Sequence, residues 1–307
     1  MNLREWALPT YTIMMQLAIG TLFSLWVIRE WFGPKYGPKK IDEIVTVPVL
    51  IIFSTMIVAI IGAHFHLSKP FLSFLALRNL KSSWLSREIA FTSIVFIRTG
   101  SLFFSLKFGE KLYRIKSLLG WIAILVGFAT VYSMASIYLL PTQVAWNSPL
   151  TIISYYAGML LLGTASLIVI FLMDLRFASG NPSRDISNHV QIVEKMIPWL
   201  TSVATITSIL NIIIGLYQIE LLRDVALPSA QASLQLMLEL YKPLLVMRIG
   251  FALTGIVWLN GVMYYFKKRQ KLIINSLGLA SVACTIILVG EILERFLFYA
   301  THVRIGI

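Results

Sequence analysis

Cysteine is nearly absent from this chain of 307 residues: Cys284 stands alone inside an apolar run. One thiol cannot close an internal disulfide, complete a structural zinc site or hold an iron–sulfur cluster, which takes about four thiolates. It reads as a small packed residue within a helix. Histidine is scarce too, with four in all: His64, His66, His189 and His302. Stacked bis-histidine haems need paired histidines on facing helices. Here His189 falls in a loop and the other three fall at segment ends on one side, so neither haem nor metal is expected in this chain. Charge is the third shortage. Asp, Glu, Lys and Arg make up 13% of the residues against 58% hydrophobic, where soluble domains carry about a quarter charged. A water-soluble protein of this length needs far more polar surface, so the excess must face lipid. Of the charge present, acid is the lesser part, 14 residues against 26 basic, for a net +12. In a membrane chain such an excess marks the loops of one side, and no nucleic-acid partner is expected.

What the chain does have is apolar length. A bilayer core needs about twenty apolar residues per helix, and eight segments qualify: 8–28, 44–63, 89–108, 118–140, 151–173, 197–219, 243–266 and 272–293. The expected fold class is therefore all-α, an integral membrane bundle of about eight transmembrane helices forming a single domain over 1–307. The first segment is too long for a cleaved signal peptide, and no small-residue cleavage site follows it. No internal repeat or low-complexity tract stands out. The loops after segments one, three, five and seven hold fifteen Lys and Arg, among them Arg29, Lys116, Lys195 and Lys267, while the opposite side with both termini holds eight. The positive-inside rule then places both termini outside the cytoplasm. On that outer side, 71–87 mixes Phe71, Phe74, Leu77, Trp84 and Leu85 with Arg78, Lys81 and Arg87, and reads as a helix lying in the interface. The connection 220–242 is long enough for another surface helix, with a break at Pro228.

Ionisable groups inside spans are expensive, at least ~2.5 kcal/mol each near the centre, and so serve either packing or a site. Seven of them gather toward the outer side: His64, His66, Glu88, Arg248, Glu291, Arg295 and His302. Arg98 lies near mid-depth and reads as a contact with a neighbouring helix. At 100° per residue, Glu291, Arg295, Tyr299 and His302 share one helix face. Glu291 and Arg295 are also an i,i+4 pair in the favourable order, either a buried salt bridge locking the last helix or the proton-handling wall of a pocket. His66, which titrates near neutral pH, and Glu88 bracket the amphipathic stretch 71–87. Such a bracket suits a lipid-soluble substrate that also exchanges protons with water.

At these residues the sequence resembles the membrane-anchor subunit of anaerobic dimethyl sulfoxide reductases. The runs that carry the resemblance are His66-Leu67-Ser68-Lys69-Pro70, Ser82-Ser83-Trp84-Leu85-Ser86-Arg87-Glu88 and Gly290-Glu291-Ile292-Leu293-Glu294-Arg295, continuing through Phe298-Tyr299 to His302. Weaker echoes are Trp146-Asn147 and Arg248. The match runs in order along essentially the whole chain. It departs in a second histidine, His64, and in Ser68, where a glycine is common. The resemblance implies a subunit in a prokaryotic cytoplasmic membrane that anchors an iron–sulfur electron-transfer subunit and a molybdopterin catalytic subunit. It implies oxidation of menaquinol, or a related quinol, with electrons passed to the iron–sulfur subunit. It associates the positions of His66 and Glu88 with quinol binding and oxidation; Arg248, Glu291, Arg295, Tyr299 and His302 are further candidate quinol-binding residues. Two other readings remain: a purely structural anchor without a quinone site, and a secondary transporter. A transporter favours helices broken at mid-depth, whereas Pro9, Pro48, Pro198 and Pro243 lie toward segment ends.

Overall fold

The computed structural model describes residues 3–66, 70–109, 113–179, 187–268 and 273–303, and the side chains of 3–7, 65–74 and 188 lie outside the described set. Among the described residues every regular element is helical. They are α1 (Leu3–Tyr36), α2 (Pro38–His66), α3 (Trp84–Phe108), α4 (Tyr113–Ser136), α5 (Pro149–Ser179), α6 (Ser187–Asp224), α7 (Pro228–Gln235), α8 (Lys242–Lys268) and α9 (Leu277–Ala300). All but α7 are long and apolar enough to cross a bilayer, where a chain must satisfy every backbone group within itself. The protein is thus an all-α, multi-pass membrane protein. The 38 residues of α6 extend ~57 Å at 1.5 Å per residue. That exceeds a hydrocarbon core of about 30 Å, so this helix projects beyond the bilayer.

The helices close into two rings. α1 packs on α2, α2 on α3, α3 on α4, and α4 back on α1; α5, α6, α8 and α9 repeat the pattern. The rings join where α1 crosses α5. There Gly20 faces Gly163, and a Cβ on either would overlap the other helix's backbone. Small residues of this kind let membrane helices touch backbone to backbone. Around the crossing Met15, Ile19 and Leu22 of α1 meet Tyr155, Leu167 and Phe171 of α5 in one buried cluster. The outside is apolar as well: Ile61, Ile97, Phe104 and Val257 are each more than half exposed, which is what a lipid-facing surface requires.

A tight turn at Gly37, with φ 93°, sends α2 back beside α1. The end of the bundle away from the two termini is then clamped. Asp42 of α2 holds the Arg29 guanidinium of α1 at 2.8 Å and the Lys116 ammonium of α4 at 3.0 Å. Arg29 also lies between the rings of Trp26 and Tyr113, at 4.4 and 4.2 Å. Two of the fifteen basic residues assigned to loops, Arg29 and Lys116, are therefore buried in helices and bind this end together.

Several expected boundaries shift. The stretch 71–87 is not one interfacial helix: Pro70–Asn79 is a 3₁₀ segment, a turn follows, and Trp84 opens α3. Ser83 makes the break by accepting a hydrogen bond from the Ser86 amide, and Arg87 reaches back to the carbonyls of Leu80 and Lys81 at 2.8 and 2.7 Å. α4 stops at Ser136, short of 140, while α9 runs on to Ala300, past 293. Pro228 opens α7, which a π-helical turn, Leu236–Leu240, connects toward α8. Arg98, expected against a neighbouring helix, is exposed on the outer surface. α3 turns Thr92, Val95, Thr99 and Leu102 inward, and that face leaves Arg98 outside with Ile94 and Ile97.

Candidate functional site

The candidate residues meet at the end of the bundle that holds both termini. Glu88 lies in the second turn of α3 and is only 5% exposed. Its neighbour is the phenol of Tyr11 near the start of α1, which in turn hydrogen-bonds Thr92 of α3 at 2.8 Å. No cation stands within ion-pair distance of Glu88 among the described residues. His66 ends α2 on the same side; its side chain lies outside the described residues, as do residues 67–69. His64 is exposed, and its Nδ1 meets the carbonyl of Ile60 at 2.7 Å.

The four residues expected on one face of the last helix divide into two groups. Arg295, 1% exposed, lies 3.7 Å over the ring of Tyr155 and donates to Gln16 of α1 at 3.2 Å. Gln16 in turn donates to the Tyr155 carbonyl at 2.7 Å. Glu291 accepts instead from Asn211 of α6 at 3.0 Å, and its second carboxylate oxygen lies close against Gly158 of α5. The expected Glu291–Arg295 ion pair is not among those the described residues form. The i,i+4 spacing permits it, but α9 sits between α1 and α5 on one side and α6 and α8 on the other, and each side supplies its own partner. The ion pair formed is Arg248 of α8 with Glu294 of α9, at 3.2 Å, while Arg248 also donates to the Asn211 carbonyl at 3.3 Å.

Beyond Arg295 the helix end carries an aromatic cluster. The hydroxyls of Tyr299 and Tyr138 lie 2.9 Å apart. Trp146 donates to the Phe298 carbonyl at 2.7 Å and stacks on His302 at 4.5 Å between ring centres. His302 lies just past the end of α9, its Nδ1 2.5 Å from the Tyr299 carbonyl. The arrangement therefore offers a buried carboxyl, a wall of phenols and indole, and a charged brace behind them. Among the described residues no group of three or more His, Cys, Asp or Glu could hold a metal.

The structure brings Arg248, Glu291, Arg295, Tyr299 and His302 to one end with Glu88. It adds Tyr11, Gln16, Tyr138, Tyr155, Asn211 and Glu294, which sequence reasoning did not place at the site. Glu294, Gln16 and Asn211 carried a usable signal, a polar side chain within an apolar run. The tyrosines carried none, because aromatic residues in membrane helices are ordinary packing.

The sequence matches the family model described as DMSO reductase anchor subunit (DmsC) over residues 1–301. It is 24% identical over 306 residues to the anaerobic dimethyl sulfoxide reductase protein YnfH of Escherichia coli (strain K12), an alignment spanning 98% of this protein and 96% of that one. It is 22% identical over 305 residues to the C subunit of the anaerobic dimethyl sulfoxide reductase of Haemophilus influenzae, spanning 99% and 97%.

Proposed function

The protein belongs to the DMSO reductase anchor subunit family, and from that premise we propose that it oxidises a quinol, of the menaquinol type, at the termini end of its bundle. The electrons pass to a docked iron–sulfur subunit that serves a molybdopterin catalytic subunit. Both termini lie outside the cytoplasm, in the cytoplasmic membrane of a prokaryote. The observation that carries this reading is Glu88: a carboxyl buried to 5% exposure with no cation beside it among the described residues. Such a group is too expensive to keep for packing alone, and ionisable groups within membrane spans mark functional sites.

Oxidation of one quinol yields one quinone, two electrons and two protons. Each ring hydroxyl must give its proton to an acceptor as the electrons depart. His66 takes one, as a base whose ordinary pKa lies near the working pH, and Glu88 takes the other. Tyr11, against Glu88 and hydrogen-bonded to Thr92, orients that carboxyl. Tyr299, Tyr138, Trp146 and His302 supply the aromatic wall for the ring. Arg248, Glu291 and Arg295, each already engaged by protein partners, hold the wall in place.

Glu88→Gln and His66→Leu should each cut quinol-dependent turnover by about 10²-fold, the usual worth of a positioned acid–base group. Turnover of the same complexes with reduced viologen, which bypasses the pocket, should persist. If both activities fall together, the two residues shape the complex and the protein is a structural anchor. If neither falls, the pocket lies elsewhere and Tyr299 and His302 are the next residues to vary.

A further inference from the structure

At the end of the bundle opposite the quinol residues, α6 and α8 separate and leave a groove of about 790 Å³. Its inner limit is a cross-link, Asn260 Nδ2 of α8 donating to Thr205 Oγ1 of α6 at 2.9 Å. Beyond that bond, Ile197, Met263, Phe266 and Ile273 form an apolar floor, and Thr201, Ser202, Lys195 and Lys267 supply polar atoms. Two features of this groove have no use within the fold. The Thr201 hydroxyl, on a residue 5% exposed, has no hydrogen-bond partner among the described residues, and a buried hydroxyl left unmet costs about 1–3 kcal/mol. Lys267 forms no ion pair among the described residues. Lys195 spends one donor on Tyr36 at 2.7 Å and keeps two.

We propose that this groove binds the headgroup of an anionic phospholipid. The phosphodiester would lie between Lys195 and Lys267 and accept from Thr201, while the acyl chains run down the apolar flank of the bundle. Position favours a lipid: both walls belong to membrane-spanning helices, near their ends. Tyr264, which lines the groove, is 64% exposed, and such residues sit at the membrane–water boundary. Charge favours an anion. Lys195 and Lys267 against Glu194, which also lines the groove, leave one net positive charge. A phospholipid with a single negative charge neutralises it, and a zwitterionic one does not. Pro198 adds an acceptor, since it has no amide to offer the Glu194 carbonyl four residues back. That carbonyl therefore lacks its usual helical donor and faces the headgroup region as an acceptor. Basic pockets between helices on the positively charged side of a bundle are suited to anionic headgroups.

The test is delipidation of the purified complex, followed by titration with phosphatidylglycerol, phosphatidylethanolamine and phosphatidylcholine. Bound lipid is counted by native mass spectrometry. The wild type should hold phosphatidylglycerol most tightly. K195Q/K267Q should weaken it roughly thirtyfold, with each lysine contributing about fivefold, while K39Q, at the same end but outside the groove, should leave it unchanged. Thr201→Val, nearly isosteric, should weaken phosphatidylglycerol binding without disturbing assembly, so the proposal does not depend on the double variant folding. Equal affinity for all three lipids overturns the proposal. So does wild-type binding in both K195Q/K267Q and Thr201→Val, and so does an equal loss in K39Q, which would show diffuse charge instead of a site.

Discussion

Replacing Arg248 by leucine should destabilise the bundle, and most of the loss should be recoverable. Arg248 and Glu294 lie 3.2 Å apart with side chains 13% and 10% exposed, so neither has much water to fall back on. Removing one partner of a buried pair costs ~3–5 kcal/mol, because the other charge is left uncompensated. The residual exposure argues for the lower figure, about 3 kcal/mol. Arg248 also donates to the Asn211 carbonyl, and losing that bond adds about 1 kcal/mol. Arg248→Leu should therefore cost about 4 kcal/mol. Combining it with Glu294→Leu removes the stranded carboxylate, and replacing a whole buried pair with apolar residues is often close to neutral. The double variant should then be about 3 kcal/mol more stable than the single, a factor of roughly 10² in the unfolding equilibrium. Equilibrium unfolding of the purified protein in mixed micelles reads both values. A double variant no more stable than Arg248→Leu would show that the pair is uncoupled and that the brace behind the aromatic wall does not exist.

A reporter fused after Arg269 should be cytoplasmic and one after Ile307 should not; both on the same side would mean that α9 does not span. Gly20→Ala should destabilise by at least ~3 kcal/mol, since overpacking costs 1–3 kcal/mol or more and the added carbon would lie inside the Met159 carbonyl. Gly250→Ala meets nothing within 4 Å and should leave thermal stability unchanged; equal effects at the two glycines would refute the close α1–α5 crossing. Asp42→Asn should lower stability more than Lys116→Gln, because Asp42 serves both Arg29 and Lys116; the reverse order in a thermal melt would show that the clamp is not centred on Asp42.

The site was legible in part. Glu291, Arg295 and Arg248 stood out because a charge in an apolar run needs a reason, and all three are buried or nearly so at one end. The partner assignment did not follow. Helical spacing says which residues of α9 share a face, and it correctly permits a Glu291–Arg295 contact. It carries no information about what the neighbouring helices offer, and Asn211, Gln16 and the Tyr155 ring compete more closely. Arg98 is the opposite case, since a central charge was expected to turn inward and the packing of Val95 and Leu102 leaves it outside.

Composition and run length alone determined that this protein is a helical membrane bundle, because a continuous apolar run of about twenty residues can satisfy its backbone within lipid only as a helix. The order of the motifs along the sequence also marked its family, and the count of basic residues suggested its orientation. Only the tertiary structure decided that the helices close as two rings joined through Gly20 and Gly163. It also decided that Arg29 and Lys116 leave the loops for a buried clamp, that Arg248 pairs with Glu294, and that Glu88 stands without a cation among the described residues. Burial and hydrophobicity act on each segment separately and can be read one segment at a time. Pairing depends on which helices become neighbours and at what rotation, and contacts between residues as distant as Gln16 and Arg295 settle that.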